Sequence, residues 1–275
     1  MNNKIGIMQG RLLAPIDNKI QAFPVDRWEE EFLLAKKLNL YCIEWIYEKP
    51  NEDHNPLATD KGINNIKNVI KTSNVQVKSV CLDYYMTERL IVNHTIQNNN
   101  VDHLLWLLCQ LKKLNISYVV LPFVDQSSID LCDIPLLSEL LRTILLKAEK
   151  SAIEIHLETD LRPNIFKTIF EQVNHPLLRW NYDIGNSASL GYMPEEEFSL
   201  LSSYLGSVHI KDRVYKGTTV PLGTGNADFK SCFFWFEKIN FSRWYILQAA
   251  RTLETTEEVT ISNYLNFLQI NGYIN

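Results

Sequence analysis

Apolar and polar positions follow two rhythms along this chain, and the rhythms take turns. Short apolar runs that break into polar residues read as strands: Lys4–Met8, Tyr41–Ile46, Val77–Leu82, Ser117–Pro122, Ile153–Glu158, Arg179–Asp183, Gly206–Ile210 and Trp244–Gln248. Between them apolar residues recur every three or four positions, the mark of a helix with one buried face. Trp28, Phe32, Ala35 and Leu38 form the first such stripe, Ile63, Ile66, Val69 and Ile70 the second, and Val101, Leu104, Leu105, Leu108 and Leu111 the third. Leu140, Leu141, Ile144 and Ala148 form the fourth, and Ile165, Ile169 and Val173 the fifth. Pro194 and three glutamates open a sixth helix, as the macrodipole favours. The aromatic-rich Phe229–Ile239 and then Thr255–Ile270 complete the series. Asp26 with Glu29, and Asp133-Ile134-Pro135, read as helix starts.

Eight strand–helix units therefore follow one another, with no linker, low-complexity segment or shift in composition. Such alternation predicts a parallel sheet with right-handed crossovers. Eight units in about 250 residues is the size of a (β/α)8 TIM barrel, here a single α/β domain over residues 1–275. An open doubly wound sheet is the competitor. Its glycine-rich turn after the first strand is missing, because Gln9-Gly10-Arg11 is not GxGxxG.

Composition narrows the setting. The chain has 275 residues, 46% of them hydrophobic, enough for one large core. The net charge of −5 is well mixed, and no basic face points to nucleic acid. Five cysteines, odd in number and without CxxC spacing, suit a reducing, cytoplasmic location. Met1-Asn2-Asn3-Lys4 runs straight into the first strand without a signal-peptide core, and no apolar run reaches the ~18–20 residues of a membrane span.

Barrels of this kind work at the carboxyl ends of their strands. Those ends carry Gln9, Glu44, Asp83, Asp125, Glu158, Asp183, His209 and Gln248. Carboxylates and one imidazole converging from separate strands suit a divalent cation such as Mn²⁺, Mg²⁺, Co²⁺ or Zn²⁺. The reading centres on Val208-His209-Ile210-Lys211-Asp212-Arg213, where β-branched residues flank a histidine before three charges. His156 lies two residues before Glu158, on the same strand face, as barrel interior or as support for the metal site. Asp83 beside Tyr84 and Tyr85, and Glu44 beside Trp45, suit contacts to a sugar; equally, Asp83 can simply end a strand and Trp45 can pack under the helices. Lys211, Arg213 and Lys216, with Arg251 opposite, read either as a clamp for an anionic substrate or as solvated loop charges. Gly223 and Gly225 mark a turn or a close backbone approach to substrate.

The chain resembles the xylose-isomerase-like barrels, the sugar and sugar-phosphate isomerase/epimerase group that shares its fold with endonuclease IV. The likeness covers nearly the whole chain. It is strongest in the strand ending at Glu158, in Asp183-Ile184-Gly185-Asn186, in His209-Ile210-Lys211-Asp212 and in Pro221-Leu222-Gly223-Thr224-Gly225. The resemblance implies one divalent metal held by Glu, Asp, His and Glu from strands five to eight. Glu158, Asp183 and His209 match the first three places, whereas Gln248 stands at the fourth. Asn186, with Glu44, Asp83, Lys211, Arg213 and Arg251, is expected to contact the substrate, a small sugar or sugar phosphate.

Family isomerases use the two glutamates as an acid/base pair that moves a proton beside a metal-bound carbonyl. Glutamine can ligate through its amide oxygen but takes no proton. Three readings stay open: Glu158 acts alone or with Asp83, Glu44 or water; Glu254 swings in; or the chain carries out an elimination or only binds. The expected activity is thus a metal-dependent isomerase/epimerase. The alternatives are a dehydratase on a keto-polyol or dehydroshikimate-like acid, and a non-catalytic sugar-binding barrel. A three-zinc repair site is not expected, because His54, His94, His103 and His175 fall in helices or loops. Phe233-Phe234-Trp235-Phe236 reads as a homodimer contact or as the inner face of the seventh helix.

Overall fold

In a computed structural model the eight apolar runs close into one parallel barrel. The structure describes residues 4–252 and 254–274, so the leading Met1-Asn2-Asn3 lies outside it. The strands are β1 (Ile5–Met8), β2 (Cys42–Ile46), β3 (Gln76–Cys81), β4 (Tyr118–Phe123), β5 (Glu154–Thr159), β6 (Leu178–Asp183), β7 (Leu205–Ile210) and β8 (Tyr245–Leu247). Each strand pairs with its neighbours in sequence, and β8 returns to β1. Every observed strand end lies within one residue of the sequence expectation.

Eight crossover helices pack outside: α1 (Trp28–Lys37), α2 (Asp60–Ser73), α3 (Asn98–Lys112), α4 (Ile134–Ala148), α5 (Pro163–Val173), α6 (Pro194–Leu201), α7 (Phe229–Lys238) and α8 (Glu257–Ile270). The predicted stripes face the barrel: Phe32, Ile66, Leu104, Leu141 and Ile169 are all buried. In α7, Phe236 is buried and Phe233 and Trp235 pack against the core, leaving only Phe234 of that aromatic run exposed. The run is thus mainly an inner face. Both start signals lie next to an observed helix start, but neither aspartate caps its helix through its side chain. Asp26 is exposed, and the residue before α1 is Arg27 with no side-chain cap. Asp133 precedes α4 but spends its carboxylate on His94 Nδ1, at 2.9 Å.

The barrel interior is polar on one side. Side chains alternate along a strand, so β5 sends Glu154, His156 and Glu158 to one face. A bulge at Trp180/Asn181 sets Asn181 opposite Ser207 and Asp183 opposite His209. The His156 ring stacks on Tyr118 with centroids 4.1 Å apart and lies over Gly206, where a Cβ would come within 2.6 Å of it. Among the described residues, the five cysteines are unpaired and no helix is long and apolar enough to cross a membrane.

Candidate active site

The centre of the site is His209, fully buried at the end of β7. Its Nε2 lies 2.6 Å from Glu44 Oε1, and Glu44 is fully buried as well. Glu44 is therefore no substrate contact, contrary to expectation: its carboxylate lies behind the imidazole. Trp45 corrects the same idea, because it is buried against Phe23 and Trp28 with its Nε1 on Asn55. The Glu44 bond places the Nε2 proton and turns Nδ1 toward Glu158 Oε2 at 3.6 Å and Asp183 Oδ2 at 4.0 Å. Burial opposes the His209 cation, but the Glu44 charge and hydrogen bond, with Glu158 and Asp183 behind them, hold its pKa above the ordinary value.

Glu158 is clamped by two amides. Asn181 donates to Oε2 at 2.8 Å and Asn186 donates to Oε1 at 2.6 Å. Burial pushes its pKa upward, and the Asp183 charge adds to the shift. Asp183 has divided duties. Its Oδ1 accepts from Asn186 N at 2.8 Å, capping the short helix Ile184–Leu190, while Oδ2 accepts from Lys211 Nζ at 3.0 Å. Gln248 lies just past β8. It donates through Nε2 to Gln21 Oε1 at 3.0 Å, and its Oε1 accepts from Lys211 at 3.4 Å.

Glu158, Asn186, Lys211 and Gln248 line a cavity of about 520 Å³ at the carboxyl end of the barrel, with Arg11, Gln21, Asp83, Asp125 and Arg213 also on its wall. Asp83 accepts from Gln21 Nε2 at 2.6 Å and from Cys81 Sγ at 3.1 Å. Loss of solvent raises its pKa, which these hydrogen bonds only partly offset. Asp125 is on the exposed outer wall in a left-handed turn, φ +50°. Glu254 is exposed and is not among the cavity's lining residues.

The expected anion clamp is spent on the protein itself. Arg251 donates to the carbonyls of Ile20, Leu13 and Gly10, fastening the loop after β1, and does not line the cavity. Arg213 donates to Gly217 O and, at 2.9 Å, to Asn186 Oδ1, so it braces the amide that clamps Glu158. Lys216 is exposed, its ammonium over the Tyr215 ring. Asp212 explains the glycine motif: its carboxylate accepts from Gly223 N, Gly225 N and Ala227 N at 2.9–3.1 Å. A Cβ on Gly225 would sit 2.2 Å from Asp212 Oδ1. The two glycines therefore shape a turn.

Sequence reading missed Asn181, Ser207, Gln21 and Arg11. The first two were within reach, since each lies two residues before a named strand-end ligand and so on the same inward face. His156 joins this interior set: Nε2 faces Glu154 at 3.0 Å, Nδ1 faces Ser207 at 2.7 Å, and Ser207 donates to Asn181 Oδ1 at 2.6 Å.

The ligating atoms of Glu158, Asp183 and His209 lie within 4.8 Å of one another. Two carboxylates, an imidazole nitrogen and a carboxylate behind the imidazole form the donor set a divalent cation takes. The sequence agrees with the geometry, since residues 32–263 match the family model of the xylose isomerase-like TIM barrel. The chain belongs to that family. No curated protein sequence matches it. Among solved structures it is similar to the IolI protein with a bound zinc atom (TM-score 0.76, 16% identity, 99% of each chain covered). It is also similar to 3-keto-D-glucoside 4-epimerase, YcjR, from E. coli (TM-score 0.73, 16% identity, 98% of this chain and 99% of that one). A third is D-allulose 3-epimerase from Methylomonas sp. in complex with D-allulose (TM-score 0.70, 15% identity, 98% and 97% covered). At such identities the likenesses show the fold.

Proposed function

We propose that this family member is a divalent-metal-dependent isomerase/epimerase of an uncharged sugar. One observation carries the reading: Glu158, clamped by Asn181 and Asn186 and lining a sugar-sized cavity, meets Asp183 and the Nδ1 side of His209. The structural likeness to 3-keto-D-glucoside 4-epimerase and D-allulose 3-epimerase supports it. Glu158, Asp183 and His209 Nδ1, with the Gln248 amide oxygen as a fourth donor, would hold a divalent cation, which would supply Lewis-acid polarisation of the substrate carbonyl. Glu158 then takes the proton from the adjacent carbon. Its amide clamps hold the carboxylate in place for that transfer.

The uncharged substrate follows from the cations. Arg11 donates to Ile20 O and Gln21 Oε1, Arg213 to Gly217 and Asn186, and Lys211 to Asp183 and Gln248. A phosphate would have to break these bonds to gain a partner. The test is incubation with Mn²⁺ in D₂O against D-fructose, D-allulose, D-tagatose, L-ribulose and D-fructose 6-phosphate. Deuterium should enter a free ketose beside its carbonyl, with the phosphate at least tenfold poorer. Binding of a ketose without exchange would replace the proposal with a binding barrel, and enone absorbance without an isomer would replace it with elimination.

A further inference from the structure

Gln248 leaves the site one ionisable group short of what inversion at carbon needs. A carbon that loses a proton from one face must regain one on the other, and a single carboxyl fixed on one side serves one face. The described carboxyls divide cleanly. Glu44 is committed beneath His209, Asp183 to the helix cap and Lys211, and Asp125 and Glu254 are exposed. Asp83, just past the end of β3, lines the same cavity as Glu158 of β5. It has no ammonium or guanidinium within salt-bridge distance among the described residues, although Arg11 and Lys211 line the same cavity.

We infer that Asp83 is the second proton-transfer group of the site, and that Gln248 holds it in place through Gln21. The inference rests on the isomerase/epimerase reading above. The hydrogen bonds run in one sense. Lys211 and Arg11 can only donate, so they fix the oxygens of Gln248 and Gln21 respectively. Gln248 Nε2 must then donate to Gln21 Oε1, and Gln21 Nε2 to Asp83 Oδ2. A glutamate at 248 would set an acceptor against Gln21 Oε1 and break this chain. The glutamine is thus part of a relocated arrangement, with the second carboxyl on strand three instead of strand eight.

In the epimerisation step, Glu158 as carboxylate removes the proton beside the carbonyl. That C–H bond breaks, an O–H bond forms on Glu158, and the electron pair becomes the C=C bond of an enolate. Protonated Asp83 delivers its proton to the other face: its O–H bond breaks, a new C–H bond forms, and the carbonyl returns. Glu158 ends protonated and Asp83 ionised, and exchange with water restores both. The reverse reaction exchanges the two roles.

The test separates exchange from product. The Asp83→Asn enzyme, loaded with Mn²⁺ in D₂O, is given the panel ketose on which the unaltered enzyme is most active. Deuterium should enter the starting ketose within about fivefold of the normal rate, because Glu158 still removes and returns a proton on its own face. Epimer formation should fall at least about 100-fold. Calorimetric Mn²⁺ binding and the melting temperature should stay near normal. Epimer formation within fivefold of normal, or equal loss of exchange and product in a folded, metal-binding variant, would overturn the inference. Should Asp83→Asn not fold, Asp83→Glu should show the same split in weaker form, and unchanged epimerisation there would count against it. Gln248→Glu should lower epimer formation about tenfold or more, and an increase would contradict the positioning role. An unaltered enzyme that exchanges no ketose at all would instead break the reading of the site on which this rests.

Discussion

Glu154 and Glu158 sit four residues apart on β5, on the same inward face, at opposite ends of the barrel. They share a residue type and differ in their surroundings. Glu154 meets the guanidinium of Arg243, with Nη2 to Oε1 at 2.8 Å and Nη1 on Oε2, and takes His156 Nε2 at 3.0 Å. Burial works against its charge, but Arg243 and His156 win and draw its pKa down to about 2. Glu158 has two neutral amides instead, while the nearby Lys211 goes to Asp183. Burial and the Asp183 charge drive the Glu158 pKa upward, although His209 and Lys211 pull the other way. A chain of contacts through His156, Ser207 and Asn181 links the two ends. The contrast shows how one strand supplies both a carboxylate fixed in its charged form and one free to accept metal or proton.

Five substitutions break or sharpen that contrast. Glu158→Gln should slow solvent deuterium exchange into the substrate by about 1,000-fold, whereas Glu154→Gln should leave it within about twofold; NMR of the ketose reads both. Glu44→Gln weakens the hold on His209 and should lower Mn²⁺ affinity by about 10–100-fold in a calorimetric titration. Arg243→Met acts at the other end and should cost about 2 kcal/mol in urea unfolding, with metal affinity unchanged.

The same variant carries the pH test. A carboxylate with a depressed native pKa stabilises the fold fully above its unfolded value, about 4.3, and loses that contribution as pH falls toward about 2. The unaltered protein should therefore lose stability across that window, and Arg243→Met should lose less, as seen by circular dichroism. The smallest effect is expected from Ser207→Ala, which interrupts the chain between the ends. About 1 kcal/mol of stability should go, with a change in exchange rate of a few-fold at most.

Much of this contrast was legible in the sequence. The eight apolar runs locate the barrel because strands buried on both faces need continuous apolar residues and break at polar ends. That rule also brings out Glu158, Asp183 and His209. It misjudges Glu44, because near a strand end only the depth of the side chain separates a group facing substrate from one beneath the metal site. The role of Arg251 escapes for another reason: its partners are the carbonyls of Gly10, Leu13 and Ile20, and backbone acceptors leave no residue-type signal. Gln21 sits on the loop those bonds hold, together with the buried Glu31, whose Oε1 accepts from Gly10 N at 2.7 Å. Its place opposite Asp83 depends on the folded loop and not on any local pattern.

The central claim is that the upper end of the barrel, and not the lower, is built to receive a divalent ion. Crystals soaked in Mn²⁺ and measured near the manganese absorption edge test it directly. The account predicts one anomalous peak, bound by Glu158, Asp183 and Nδ1 of His209, with Glu44 still on Nε2 and no peak at Glu154. An empty upper site at saturating Mn²⁺, or an ion bound through Nε2 of His209, would contradict it.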